Sequence, residues 1–121
     1  MVAPEINELK PEIDVADTNP LSELEEAILT LLINKELYGL QIIDAFEEAS
    51  NGKRHLSIGS LYPTLHRLEL KGYVKSNSNK NLKSSGRKSR RKYFTLTVSG
   101  TQKIMQAREF RSELQIWQPS T

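Results

Sequence analysis

The stretch Ile58-Gly59-Ser60-Leu61-Tyr62-Pro63-Thr64-Leu65-His66-Arg67-Leu68-Glu69 joins an apolar stripe at helical spacing to a polar and basic face. Ile58, Leu61, Leu65 and Leu68 share one side of a helix, whereas Thr64, His66, Arg67 and Lys71 project elsewhere. Proline is tolerated only in a helix's first turn, so Pro63 predicts a start at Ser60, with Ser60 as N-cap and Leu61, Tyr62 and Pro63 in the first three helical positions. Gly72 suits the C-terminal cap. A helix of this kind is narrow enough to enter a major groove, and Ser60, Tyr62, Thr64, His66, Arg67 and Lys71 lie where base edges or flanking phosphates would be.

Upstream, Leu21, Leu24, Ile28 and Leu31 recur at three- and four-residue steps, and Ser22 with Glu25 can form a capping box, so a first helix runs to about Ile33. Asn34-Lys35-Glu36 breaks it, Leu40, Ile43 and Phe46 mark a short second helix to about Ala49, and Asn51-Gly52 turns the chain. Downstream, the period shortens to two. Tyr73 to Ser76 and Lys92 to Val98 read as antiparallel strands around a long basic hairpin tip, Asn77 to Arg91, which carries no acid. The last segment returns to helical spacing with Ile104, Ala107, Phe110, Leu114 and Trp117, until Pro119 stops it. The expected fold is mainly α (α+β): a winged helix-turn-helix with a two-stranded β-wing and a C-terminal dimerisation helix. Residues 1–20 form an acidic, partly disordered arm, 21–98 the winged helix and 99–121 the dimerisation helix.

Charge is segregated along the chain. Residues 1–52 carry a net −10, residues 53–92 a net +11 and residues 93–121 a net +1, and neither Asp nor Glu occurs between Glu69 and Glu109. A solvated surface mixes signs, so the middle third fits a polyanion; the other reading is that acidic and basic faces neutralise each other across the fold or between protomers. The absence of cysteine excludes disulfides, thiol catalysis and cysteine-ligated zinc. No apolar run approaches the roughly 20 residues that span a bilayer, and the N-terminus lacks signal-peptide order, so a soluble, cytoplasmic protein without a membrane partner is expected.

The quoted stretch, followed by Gly72-Tyr73-Val74, Gly86-Arg87 and Arg91-Lys92-Tyr93-Phe94-Thr95-Leu96-Thr97, resembles the PadR family of transcriptional regulators over roughly residues 21–105. Leu-Tyr-Pro-x-Leu-x-Arg-Leu-Glu is the most specific part of that pattern. Tyr38-Gly39-Leu40-Gln41-Ile42 matches the family's second-helix motif except that Leu40 replaces an aromatic residue. The resemblance implies a dimeric repressor with Tyr62 near DNA phosphates and a closing helix that pairs protomers. Gly86 to Lys92 is longer and more basic than the family's wing, which favours contacts from Lys83, Arg87, Lys88, Arg90, Arg91 and Lys92 and leaves their register open. The single closing helix puts a large effector pocket in doubt. Arm, wing and closing helix together are similar to a PadR-like modifier of the cyanobacterial circadian clock, which implies clock gene regulation.

Other chemistry has little support. His55 and His66 have no acidic neighbour in sequence apart from Glu69, which disfavours a metal site, and Glu25, Glu26, Glu47 and Glu48 have no nucleophile nearby, so neither a cofactor nor catalysis is implied. Trp117 either stacks on a planar effector or serves a dimer or core contact; Tyr62 is either a phosphate ligand or a core aromatic. The function classes are a sequence-specific duplex-DNA regulator acting as a homodimer on an inverted repeat, an RNA-binding winged helix, and a protein-interaction module.

Overall fold

The computed structural model describes residues 20–78 and 91–120. The arm before Pro20 and the hairpin residues 79–90, with Lys83, Arg87, Lys88 and Arg90, lie outside the described residues. Helix α1, Glu23–Leu31, starts on the expected capping box: the Glu25 N–H donates to Ser22 Oγ at 3.1 Å, and the Ser22 N–H donates to Glu25 Oε1 at 2.9 Å. The chain turns through Asn34 at φ 58° into strand β1, Leu37–Tyr38, and helix α2, Gly39–Ala49. Helix α3, Ile58–Leu70, leads into the hairpin strands β2, Val74–Ser78, and β3, Lys92–Leu96, and then into helix α4, Val98–Ile116.

Helix α3 begins three residues earlier than its proline predicts. Ser57, not Ser60, is the N-cap, its hydroxyl accepting the Ser60 N–H at 3.1 Å. Pro63 therefore lies inside the helix, where it cannot donate to the Gly59 carbonyl. Gly59 is exposed, so water can satisfy that carbonyl, and the bond gained at the Ser57 cap favours the longer helix. The C-terminus is as read: Gly72 at φ 83° donates to Glu69 O, and the Tyr73 N–H to Leu68 O, the paired bonds of a Schellman turn.

The sheet has three strands, in the order β1-β3-β2, where two were expected. The hairpin register pairs Val74 with Leu96 and Ser78 with Lys92, and β1 adds Leu37 opposite Phe94 and Tyr38 opposite Tyr93. The wing is thus tied to the start of α2. One core unites all elements: Ile28, Leu29 and Leu32 from α1 and its cap, Ile42 from α2, Leu61, Leu65 and Leu68 from α3, Tyr73, Val74 and Phe94 from the hairpin and its lead-in, and Ile104 from α4. Each fully buried aliphatic side chain contributes about 1.5–3 kcal/mol. A Cβ at Gly100 would collide with the Tyr73 carbonyl, so only glycine lets α4 lie this close to the base of the hairpin. Among the described residues no helix is long and apolar enough to cross a membrane.

Candidate nucleic-acid interface

Burial divides α3 into faces. Leu61, Leu65 and Leu68 point inward, whereas Ser60, Tyr62, Pro63, His66, Arg67, Leu70 and Lys71 are exposed. Thr64 departs from expectation: it is 3% exposed and its hydroxyl donates to Ser60 O at 2.8 Å, so it cannot read a base. At helical spacing Thr64 falls beside Leu61 and Leu68, on the edge of the buried stripe.

Tyr62 is partly exposed and leans over the first turn of α2. A Cβ on Gly39 would meet the Tyr62 hydroxyl and lie 2.8 Å from its Cζ, so glycine makes room for the ring. Tyr62 is thus neither a core aromatic nor a free surface side chain. Beside it opens a hollow of about 520 Å³, lined by Gly39, Leu40, Tyr62, Ser78, Arg91 and Lys92 among others. Arg91 stacks its guanidinium 4.4 Å from the centre of the Tyr38 ring, and Tyr38 meets Tyr93 edge to face at 5.3 Å. The α2 N-terminus adds the N–H groups of its first turn and the positive end of its dipole. Cations, a phenol and helix-end N–H groups together suit a phosphate oxygen.

The opposite flank of α3 is held by a buried acid. Glu25 Oε2 accepts from Lys71 Nζ at 3.1 Å and from Arg67 Nε at 3.4 Å, and Arg67 Nη2 reaches Thr64 Oγ1 at 3.3 Å. Burial pushes the Glu25 carboxyl up, but the Ser22 N–H and the nearby Lys71 and Arg67 outweigh it and hold the group below its ordinary value. Sequence reading gave Glu25 a place in the capping box and no further role, and so missed this one. Its partners are 42 and 46 residues away, beyond any local pattern. Elsewhere Glu23 faces Arg54, and Glu47 faces His55 at 3.8 Å. Among the described residues no group of three or more His, Cys, Asp or Glu could hold a metal ion.

Helix α4 separates the residues expected at a partner interface. Ile104 is fully buried in its own core, a correction that follows from Gly100 bringing the first turns of α4 onto the hairpin base. Ala107 packs against the core edge, while Phe110, Leu114 and Trp117 are 62%, 59% and 67% exposed, as is Ile116, which the stripe omitted. Arg111 fixes this helix to α1 through two bonds to Glu26, Nη2 to Oε1 at 2.6 Å and Nε to Oε2 at 2.9 Å.

Known proteins share this architecture. A transcriptional regulator from Clostridium thermocellum is 30% identical with a TM-score of 0.63, over 75% of this chain and 83% of that one. A PadR-like transcription factor from Bacteroides fragilis is 27% identical with a TM-score of 0.67, over 76% and 82%. Bacillus subtilis PadR in complex with operator DNA is 29% identical with a TM-score of 0.64; 84% of this chain is covered, but only 52% of that longer one. No curated protein matches the chain. Residues 28–106 match the transcriptional regulator PadR-like family, and they hold α2, α3, both hairpin strands and the start of α4. The chain belongs to the PadR-like family of transcriptional regulators.

Proposed function

We propose that the chain is a sequence-specific duplex-DNA-binding repressor that acts in the cytoplasm as a homodimer on an inverted repeat. The hollow where Tyr62, Arg91, Lys92 and the α2 N-terminus converge carries this reading, because it offers a phosphate seat beside an exposed helix. From that seat α3 enters the major groove with His66 and Arg67, Ser60 and Lys71 lie on its flank, and the basic hairpin with Lys83, Arg87, Lys88 and Arg90 follows the backbone. The likeness to an operator-bound PadR supports the same docking. Phe110, Leu114 and Trp117 pair two protomers, with Ala107 at the edge of the contact, and set two α3 helices roughly 34–36 Å apart. Regulation of circadian clock genes is the narrower form of the proposal; it rests on the resemblance of arm, wing and closing helix.

Genomic fragments retained by the full chain, competed against structured RNA and mixed-sequence duplex, test the function. The expected result is a recurring inverted repeat that duplex competes for and RNA does not. Equal competition by RNA contradicts it. Replacing Arg87, Arg90 and Arg91 together by Ala should weaken binding to every sequence by about tenfold or more without unfolding the chain.

A further inference from the structure

Glu25 carries a charge that its local role does not need. As the third residue of α1 it completes the capping box through Oε1, a bond that a neutral glutamine would make equally well. Yet the carboxylate is only 3% exposed, and withdrawing a charge from water is costly unless cations accompany it. The cations belong to α3. Oε2 takes Lys71 Nζ and Arg67 Nε, and Thr64, itself anchored on Ser60 O, takes Arg67 Nη2. One buried acid thereby neutralises one lysine and fixes the plane of one guanidinium on the helix assigned to the groove.

We propose that Glu25 is a specificity-determining residue of the α3 interface, acting through Arg67 and Lys71. Binding to phosphates is sequence-independent and grows with every unpaired cation that displaces counterions. A lysine already paired with a carboxylate adds little to that term, and a guanidinium held at Nε and Nη2 must give up both contacts to swing to the nearest phosphate. Its fixed plane instead favours base edges, whose recognition by arginine depends on orientation. Glu25 thus holds down indiscriminate binding relative to binding at the correct sequence. The inference rests on the DNA-binding reading above.

The test is Glu25→Gln in the full chain, measured against sheared mixed-sequence genomic DNA and against the genomic fragment that the parent binds best, across a salt series. The variant should bind mixed-sequence DNA about tenfold tighter, the effect of one charge-assisted contact. Its logarithmic salt slope should steepen by about 0.9 per protomer, and its preference for the selected fragment should fall about tenfold. A folded variant with the parent's slope and preference overturns the inference and leaves the DNA-binding function standing. A parent that binds no duplex overturns both. If the variant does not fold, the Arg67 Nε–H resonance of the parent decides. A proton that stays protected from exchange while mixed-sequence DNA is bound supports the inference, and one that exchanges as fast as those of the exposed arginines overturns it.

Discussion

Helices α3 and α4 start alike and end differently. Each begins on a hydroxyl that accepts the N–H three residues on, Ser57 for Ser60 and Thr97 for Gly100, and each carries an apolar stripe. Along its 13 residues α3 buries Leu61, Leu65 and Leu68 of that stripe inside its own core, leaves Ile58 and Leu70 bare at its two ends, and between them turns Ser60, Tyr62, Pro63, His66 and Arg67 outward. The 19 residues of α4 bury only Gly100, Lys103 and Ile104, and from Arg108 to the end of the helix every residue is exposed. Helical spacing therefore reports that a face is apolar, whereas the position of the core decides what that face is for. A stripe closed off within the protomer frees the opposite side for a ligand, and one that outruns the core, with Phe110, Leu114, Ile116 and Trp117 bare, suits a second chain.

The contrast breaks first at α4. Replacing Phe110 by Asp and Leu114 by Glu should leave the fold intact, yield a monomer in sedimentation and lower affinity for an inverted repeat by about 10³-fold, because the second half-site no longer benefits from high effective concentration. An unaltered dimer would show that the bare face is not the contact. In α3 the same kind of residue is core. Leu65→Ala should cost about 2–5 kcal/mol of stability by denaturant unfolding, against less than about 0.5 kcal/mol for Phe110→Ala in the monomeric background. Equal costs would erase the distinction between the two stripes.

A smaller effect sharpens the picture at the hollow. The methyl of Gly39→Ala would meet the end of the Tyr62 side chain, which is 43% exposed and free to swing outward. Stability should change by less than about 1 kcal/mol, while duplex affinity falls about tenfold with the loss of one phosphate contact. Unchanged affinity with a displaced ring would remove Tyr62 from the interface.

Local signals made much of this legible. The Ser22 and Glu25 capping box and the Gly72 terminus each depend on residues within a few positions of one another, and each is present; the strand expected from Lys92 to Val98 is also there but ends at Leu96, because Thr97 caps α4. What was misread depends, the start of α3 apart, on tertiary context. Pro63 argued for a late start to α3, but the Ser57 cap prevailed. β1 is two residues long, too short to show alternation, and exists because β3 offers it an edge. Thr64 and Ile104 sit at the margins of their stripes, where packing partners decide which side is covered. The pairing of Glu25 with Arg67 and Lys71 has no local signature, although the opposite charges of the two halves of the chain hinted at such contacts.

The most direct test of the central claim is the affinity of the unmodified full chain for a genomic duplex as a function of salt. With about four phosphate contacts per protomer, the logarithm of the binding constant should fall against the logarithm of salt concentration with a slope near roughly −7 for the dimer. An affinity that stays constant from low to moderate salt would contradict the account, because the basic hairpin and the phosphate seat beside Tyr62 would then carry none of the binding.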